Sequence, residues 1–223
     1  MVELDKAQRE ARAREVRHEI VAQLTVGTHR AFRILFAVQW AIALLLAWQS
    51  SVPGDGRLWI TLILGGMLCV PAGQFTRGAP LAWWTSHFVA LSQIGWSWLY
   101  VWLLEGNAEA QFHLFASLAF LAFYRDWKVL LTAMAAAIAW PLAKLAMLPD
   151  TYTIAPAAWS RLLHQAAYIG AETAMLLVTV RQGRKTVWRF AMQSAGLQLT
   201  NEHIQRDVSE RTASSCAAAS STA

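Results

Sequence analysis

The chain has 223 residues, of which 56% are hydrophobic, 15% are charged and twelve are Trp. Soluble domains usually hold about 45–50% apolar and about 25% charged residues, so this composition excludes a disordered chain, a disulfide scaffold and most soluble enzymes. The net charge is +5, but the basic residues are scattered around long apolar runs and are not clustered beside a modest core. This distribution argues against nucleic-acid binding. The class that remains is a polytopic protein of the lipid bilayer.

Six apolar segments are candidates for membrane spans, because a transmembrane helix needs about 20 predominantly apolar residues. Turn signals separate them, and these are Pro53-Gly54-Asp55-Gly56, Gly78-Ala79-Pro80, Gly106-Asn107, Arg125-Asp126 and Pro149-Asp150. The segments are residues 34–49, 58–74, 81–104, 112–124 (extended back toward Ala108), 129–148 and 159–180. We therefore predict an all-α fold, a membrane helix bundle with six transmembrane helices over residues 34–180.

The basic residues predict the orientation of this bundle. If the six spans alternate, 16 of the 19 Lys and Arg residues fall on one side, and the other side holds only Arg57, Lys144 and Arg161. The positive-inside rule then places both termini in the cytoplasm. Seven Trp residues lie near span ends, as is typical of aromatic side chains at the membrane interface. They are Trp48, Trp59, Trp83, Trp84, Trp102, Trp127 and Trp159.

The segment before the first span, residues 1–33, predicts a charged cytoplasmic helix. Four of its arginines are available to anionic lipid headgroups, namely Arg9, Arg12, Arg14 and Arg17.

After the sixth span, residues 181–212 predict a cytoplasmic signalling helix. Its apolar-type positions recur at alternating steps of three and four, which is a heptad seam, and an Asn at one such position commonly fixes register. The seam is Val187, Phe190, Ser194, Leu197, Asn201, Ile204 and Val208. We predict a homodimeric coiled coil through residues 187–208; a single amphipathic helix on the membrane surface is the alternative. Residues 213–223, rich in Ala and Ser, are predicted to be disordered.

Ionisable residues inside spans are costly, so each one is a candidate functional residue. The set is His87, Glu109, His113, Lys144, His164 and Glu172. At about 1.5 Å per residue, His113 and His164 share a level in the outer half of the bilayer, and His87 and Glu172 share one in the inner half.

Glu109 and His113 are four residues apart and so share a helical face. Helix bundles bind metals through imidazoles and carboxylates that converge from several helices. A transition metal is therefore the candidate cofactor. Two separate levels would also suit two sites or a proton path. The alternative for each His is a hydrogen bond between helices, and Lys144 is expected to extend toward the interface.

Two further features bear on packing and activity. Gly65, Gly66 and Gly73 in the second span are expected to allow close helix approach. The chain contains no kinase, cyclase or hydrolase motif, so we do not expect an enzyme.

The stretch from Glu109 to Trp127, EAQFHLFASLAFLAFYRDW, resembles the multi-span membrane sensory region that precedes bacterial histidine kinases, diguanylate cyclases and chemotaxis-type transducers. The resemblance covers about residues 32–212. Its most specific part is the Tyr-Arg-Asp-Trp block, which here is Tyr124, Arg125, Asp126 and Trp127.

The pattern of that family extends beyond this block. Glu109 and His113 match it, and so do His87, His164 and Glu172 as polar residues of other spans. Two positions depart from it: Gln111 replaces a His, and Trp140-Pro141 replaces Asp-His. A metal site of the family type would therefore lack two candidate ligands here, and would be altered or empty.

The resemblance implies an input module of a bacterial two-component or related signalling protein, located in the inner membrane. A stimulus at the His and Glu cluster would pass through the sixth span into the coiled coil, and the output domain would be separate or missing. A transporter or metal-dependent membrane enzyme that uses the same cluster is the alternative. A third possibility is a sensor without output that acts as a dimerising decoy.

Overall fold

The structure, a computed structural model, describes residues 2–50, 56–106, 108–147 and 156–221, with side chains for residues 6–50, 56–106, 111–143, 160 and 162–214. All regular structure in these ranges is helical, which confirms the all-α prediction. The predicted turns at Pro53 and Pro149 lie outside them. The helices are α1 Val2–Ser50, α2 Arg57–Gly78, α3 Trp83–Leu103, α4 Ala108–Leu121 with a 3-10 turn Ala122–Tyr124, α5 Trp127–Met147 and α6 Pro156–Ser221.

Two of the helical segments, Lys6–Ser50 and Arg57–Gly78, are long and apolar enough to cross a membrane. The apolar segments Gln111–Tyr124 and Trp127–Ala143 are shorter. The finding supports membrane association through two helices, which is a coarser statement than six spans.

The first and last helices run through the predicted segment boundaries. α1 continues through residue 33 over 49 residues, and α6 continues through residue 180 over 66 residues. The tail from residue 213, which we predicted to be disordered, is helical to Ser221. Alanine has the highest helix propensity of all residues, and this preference requires no apolar periodicity.

Turns that the sequence predicted end several of the helices. Gly106 after α3 has φ 79° and Arg125 before α5 has φ 53°, both in the left-handed region. Asp126 accepts a hydrogen bond from the Lys128 amide at 3.0 Å through Oδ1 and so caps the N-terminus of α5. The block that carried the family resemblance is thus also the turn between α4 and α5.

The chain divides into two compact units, Met1–Ala22 with Arg184–Ala223, and Gln23–Gly183. In the first unit, Ala13 of α1 packs with Ala191 and Ala195 of α6. Arg12 of α1 donates to Gln198 at 3.2 Å. The small Ala side chains allow the two helical segments to approach closely.

The second unit has its core around α3, which packs against α2, α4 and α5. Trp96 of α3 is completely buried there, together with Leu118 of α4 and Leu130 of α5. Gly65 of α2 lies against this core: a Cβ at Gly65 would stand 2.5 Å from Cδ1 of Trp40 and 2.9 Å from Cη2 of Trp96. Close helix approach is therefore confirmed at Gly65.

Two other glycines of α2, Gly66 and Gly73, do not have this role. A Cβ at Gly66 would meet Trp40 at an ordinary contact distance of 3.6 Å, and a Cβ at Gly73 would meet no described atom within 4 Å. The expectation of close packing at Gly73 is wrong, because that residue does not face a neighbouring helix.

Candidate functional site

A buried hydrogen-bonded cluster surrounds His113 in the second unit. We call it the His113 cluster, and its members come from three helices: Gln39 of α1, Gln93, Ser97 and Tyr100 of α3, and His113 and Ser117 of α4. The side chains other than His113 are 0–6% exposed. Neutral polar groups buried in this way need partners, because an unpaired buried polar group costs about 1–3 kcal/mol.

The chemistry of the side chains identifies the donor and the acceptor in each hydrogen bond of the cluster. Gln39 Nε2 can only donate, so Nε2 of His113 accepts at 3.0 Å. In the neutral ring the proton is then on Nδ1, which donates to Ser97 Oγ at 2.9 Å. The Ser117 hydroxyl donates to the carbonyl of His113 at 2.7 Å. Its oxygen is therefore free to accept from Ser97 and from Gln93 Nε2, both at 2.9 Å.

Tyr100 closes the cluster on one side. Its ring centroid lies 4.6 Å from that of His113, and its hydroxyl donates to the backbone carbonyl of Gln39 at 2.8 Å. Two acceptors, Oε1 of Gln39 and Oε1 of Gln93, are buried and have no hydrogen-bond partner in the part of the chain that the structure describes. The cluster can therefore accept further hydrogen bonds at these two oxygens.

The other predicted site residues lie in separate environments. His87 Nδ1 donates to Thr132 Oγ1 at 2.8 Å, because the Thr132 hydroxyl already donates to the Lys128 carbonyl. His164 is exposed, and its Nδ1 donates to the carbonyl of Ser160 in its own helix at 2.6 Å. The structure therefore does not bring His164 to the His113 cluster.

Glu172 of α6 is half-buried, and its Oε2 has no hydrogen-bond partner within the described ranges. The side chains of Glu109 and Lys144 lie outside the described residues. Asn201 is exposed on α6.

A transition metal does not fit the donors that the structure describes. No group of three or more described His, Cys, Asp or Glu side chains could hold a metal ion. His113 uses both ring nitrogens in hydrogen bonds with Gln39 and Ser97, so a metal would have to displace one of them. The metal stays a prediction from the sequence.

Tyr124 links three parts of the second unit. Its hydroxyl bonds Nδ1 of His29 in α1 at 2.8 Å, and Nε2 of His29 donates to the Pro80 carbonyl at 2.9 Å. Because Nε2 carries the proton, the neutral His29 ring accepts at Nδ1 and Tyr124 is the donor. The Tyr124 ring also stacks on Phe32 with 5.5 Å between centroids.

Arg125 and Trp127 complete the block. The Arg125 side chain runs along Gly183 of α6, where a Cβ would stand 3.5 Å from Arg125 Nε. Trp127 is exposed. The four residues therefore have distinct local roles: a buried anchor, a left-handed turn, a helix cap and an exposed ring.

Tyr124→Phe is expected to lower the free energy of unfolding by about 1 kcal/mol, because it removes the donor to buried His29 and keeps the stacking on Phe32. The control is Tyr168→Phe on α6, since Tyr168 is 65% exposed. Equilibrium unfolding in mixed detergent micelles measures both. Equal losses in the two variants would contradict the assigned hydrogen bond.

Sequence reasoning concentrated on ionisable residues and missed Gln39, Gln93, Ser97 and His29. A signal was present for two of them: Gln93 and Ser97 are four residues apart on one face of an apolar segment. Nothing in the sequence indicated that Gln39 and His29 of α1 would be their neighbours or those of Tyr124.

A crevice of about 1150 Å³ opens on the other side of α3, between α2, α5 and the start of α6. Gly95 and Trp98 of α3 line it, whereas Ser97 of the same helix belongs to the His113 cluster. Gln111 and Pro141, the two departures from the family pattern, both line the crevice. That both residues line one crevice follows only from the fold.

Comparisons with known proteins identify no relative. No protein-family model matches the chain, and neither curated proteins nor solved structures show a match.

Proposed function

We propose that the chain is the sensory input module of a bacterial signal-transduction protein, with six spans in the inner membrane and both termini in the cytoplasm. Its distribution of polarity supports membrane insertion. Ile34 of α1 is 62% exposed, Met67 of α2 is 65% exposed and Phe123 is 67% exposed, while Gln93 and Ser97 are 0% exposed. Apolar surface of this kind is stable when it faces lipid.

The Trp residues support the same arrangement. Of the seven near predicted span ends, the six whose side chains are described are all exposed, whereas Trp96 at the middle of α3 is completely buried. Exposed indole rings at span ends are typical of the membrane interface.

The observation that carries the sensory role is the bond between Gln39 of α1 and His113 of α4. A proton added to Nε2 of His113 would turn this acceptor into a donor that faces the donor nitrogen of Gln39. Gln39 would then turn its amide so that Oε1, which is buried and unpartnered, accepts from the ring. A change of one proton would thus rearrange the contact between two helices.

α6 supplies a continuous route for the output. Glu172 and the seam from Val187 to Val208 belong to this one helix, so a shift at Glu172 is transmitted along unbroken backbone hydrogen bonds. We propose that the signal leaves the bundle in this way, toward an output domain.

A homodimer through residues 187–208 is part of the proposal. In the first unit, one face of α6 packs on α1 through Ala191 and Ala195. Three seam residues point away from that face, since Phe190 is 59% exposed, Leu197 73% and Ile204 54%, whereas Val187 is only 8% exposed and shares the face of Ala191. An exposed apolar seam of heptad spacing favours a second copy as its partner.

The proposal is tested by joining the chain to a reporter kinase and measuring autophosphorylation in membrane vesicles. His113→Gln and Glu172→Gln are each expected to change kinase output about fivefold or more. The Gln side chain at position 113 can form hydrogen bonds in the cluster but cannot take up a proton. His203→Gln, at an exposed position of the first unit, is the matched control and should leave output unchanged. Wild-type output in both site variants would contradict a sensory role.

The crevice favours the alternative of a transporter. Transporter sites often lie beside interrupted helices. Pro141 of α5 lines the crevice, although α5 continues through it as one helix. Proteoliposomes with an imposed pH gradient and a fluorescent pH dye test this function. Proton flux that depends on Gln111 or Gln165, which line the crevice, would favour the transporter, and an unchanged gradient would favour the sensor.

A further inference from the structure

The first unit contains a small groove with an unusual concentration of positive charge. The groove is lined by Arg17 of α1 and by Arg184, Lys185, Trp188 and Arg189 of α6, and we call it the basic groove. Its volume is about 280 Å³. The four residues of α6 occupy neighbouring positions of two successive turns, and Arg17 adds a charge from the opposing helix.

The cations of the basic groove have no acidic partner. Arg17, Arg184, Lys185 and Arg189 form no ion pair or hydrogen bond through their side chains within the described part of the chain, and no Asp or Glu lines the groove. Four like charges that face one cavity repel each other, and this repulsion is relieved when an anion enters.

Another arginine of the same unit shows the contrast. Arg12 bonds Glu15 at 2.8 Å and lies 4.0 Å from Glu202. Positive charge is thus compensated at Arg12 and uncompensated around Arg17. The sequence placed these two arginines in one group, and the structure separates them.

We propose that the basic groove binds a phosphate group. Guanidinium groups match phosphate oxygens in a two-pronged geometry, and three of the four cations are arginines. Trp188, which packs against the Ala cluster of this unit, forms the apolar part of the groove wall.

Two sources can supply the phosphate group: the headgroup of an anionic phospholipid and a soluble phosphate compound. Arg184 follows the predicted sixth span by four residues along α6, which corresponds to about 6 Å of helix. If that span crosses the membrane, the groove lies at headgroup depth. The lipid source therefore rests on the proposed membrane insertion, whereas the phosphate site does not, and neither requires the sensory role.

The test uses the full chain, purified in a neutral detergent and stripped of lipid. Native mass spectrometry counts bound phosphatidylglycerol, with phosphatidylcholine as the zwitterionic comparison. The double variant R184Q/R189Q is expected to bind phosphatidylglycerol about tenfold or more weakly than the wild type. R206Q/R211Q removes the same charge from exposed positions of α6 outside the groove and should bind like the wild type. Circular dichroism checks that both variants keep their helicity.

Inorganic phosphate added as a competitor distinguishes the two sources. Phosphatidylglycerol binding that resists it supports the lipid headgroup, and displacement by it supports a soluble phosphate compound. Equal weakening in the two double variants would show that net charge alone governs binding, and would overturn the proposal. So would equal affinity of the wild type and R184Q/R189Q for phosphatidylglycerol.

Discussion

Gly65→Ala is expected to lower the free energy of unfolding by about 3 kcal/mol, at the upper end of the cost of overpacking a core. The new Cβ would stand 2.5 Å from Cδ1 of Trp40, 2.7 Å from its Nε1 and 2.9 Å from Cη2 of Trp96. The Trp96 side chain is completely buried, so it has no open space into which it can move. Relief would require α2 to separate from the core around α3.

The same helix provides two matched controls for this variant. Gly66→Ala adds a Cβ at ordinary contact distance, and Gly73→Ala adds one in open space. Because alanine favours a helix over glycine by about 1 kcal/mol, these variants should be unchanged or slightly more stable. Unfolding in mixed micelles measures all three. Equal stability of the Gly65 and Gly73 variants would contradict the close packing of α2 on Trp40 and Trp96.

His113→Ala is expected to lower the free energy of unfolding by about 2–3 kcal/mol, because it removes two side-chain hydrogen bonds and leaves buried Gln39 and Ser97 short of a partner. Interhelical hydrogen bonds in membranes average only about 0.6 kcal/mol, so most of this loss is the cost of the groups left unpaired. The cavity left by the imidazole adds to it.

His164→Ala is the control for this prediction, because exposed His164 bonds only within its own helix as far as the described residues extend. Its unfolding free energy should change by less than about 0.5 kcal/mol. His113→Gln separates stability from sensing: the amide can accept from Gln39 and retain part of the stability, but it does not titrate. Equal losses of unfolding free energy for His113→Ala and His164→Ala would show that the hydrogen bonds of the His113 cluster do not stabilise the fold.

The sequence was sufficient for features that depend on neighbouring residues along one helix. Apolar runs predicted the helices, and the turn at Arg125 and Asp126 was predicted from the same local signals. Gly65 was correctly singled out for close packing, although the sequence did not distinguish it from Gly73. Apolar periodicity also underestimated the length of the last helix, because the alanine-rich tail has no such periodicity and is helical to Ser221.

The family resemblance identified residues without their roles. It pointed to His113 and Tyr124, and both prove to be centres of buried hydrogen bonds. The estimate of depth along the spans, and not the resemblance, paired His113 with His164, and His164 is exposed in a different environment. A shared depth along the bilayer normal does not determine whether two helices are adjacent or which faces they turn toward each other.

The sequence by itself determined that this chain forms apolar helices, where most of them begin and end, and where its charges lie along them. Only the tertiary structure decided that Gln39 meets His113 across 74 residues of chain, and that Arg12 is paired with acids while Arg17 lies in the basic groove. The physical reason is the range of the interactions. Hydrogen bonds within a helix and the water-to-lipid preference act on each segment alone, whereas side-chain partners depend on how several helices pack together.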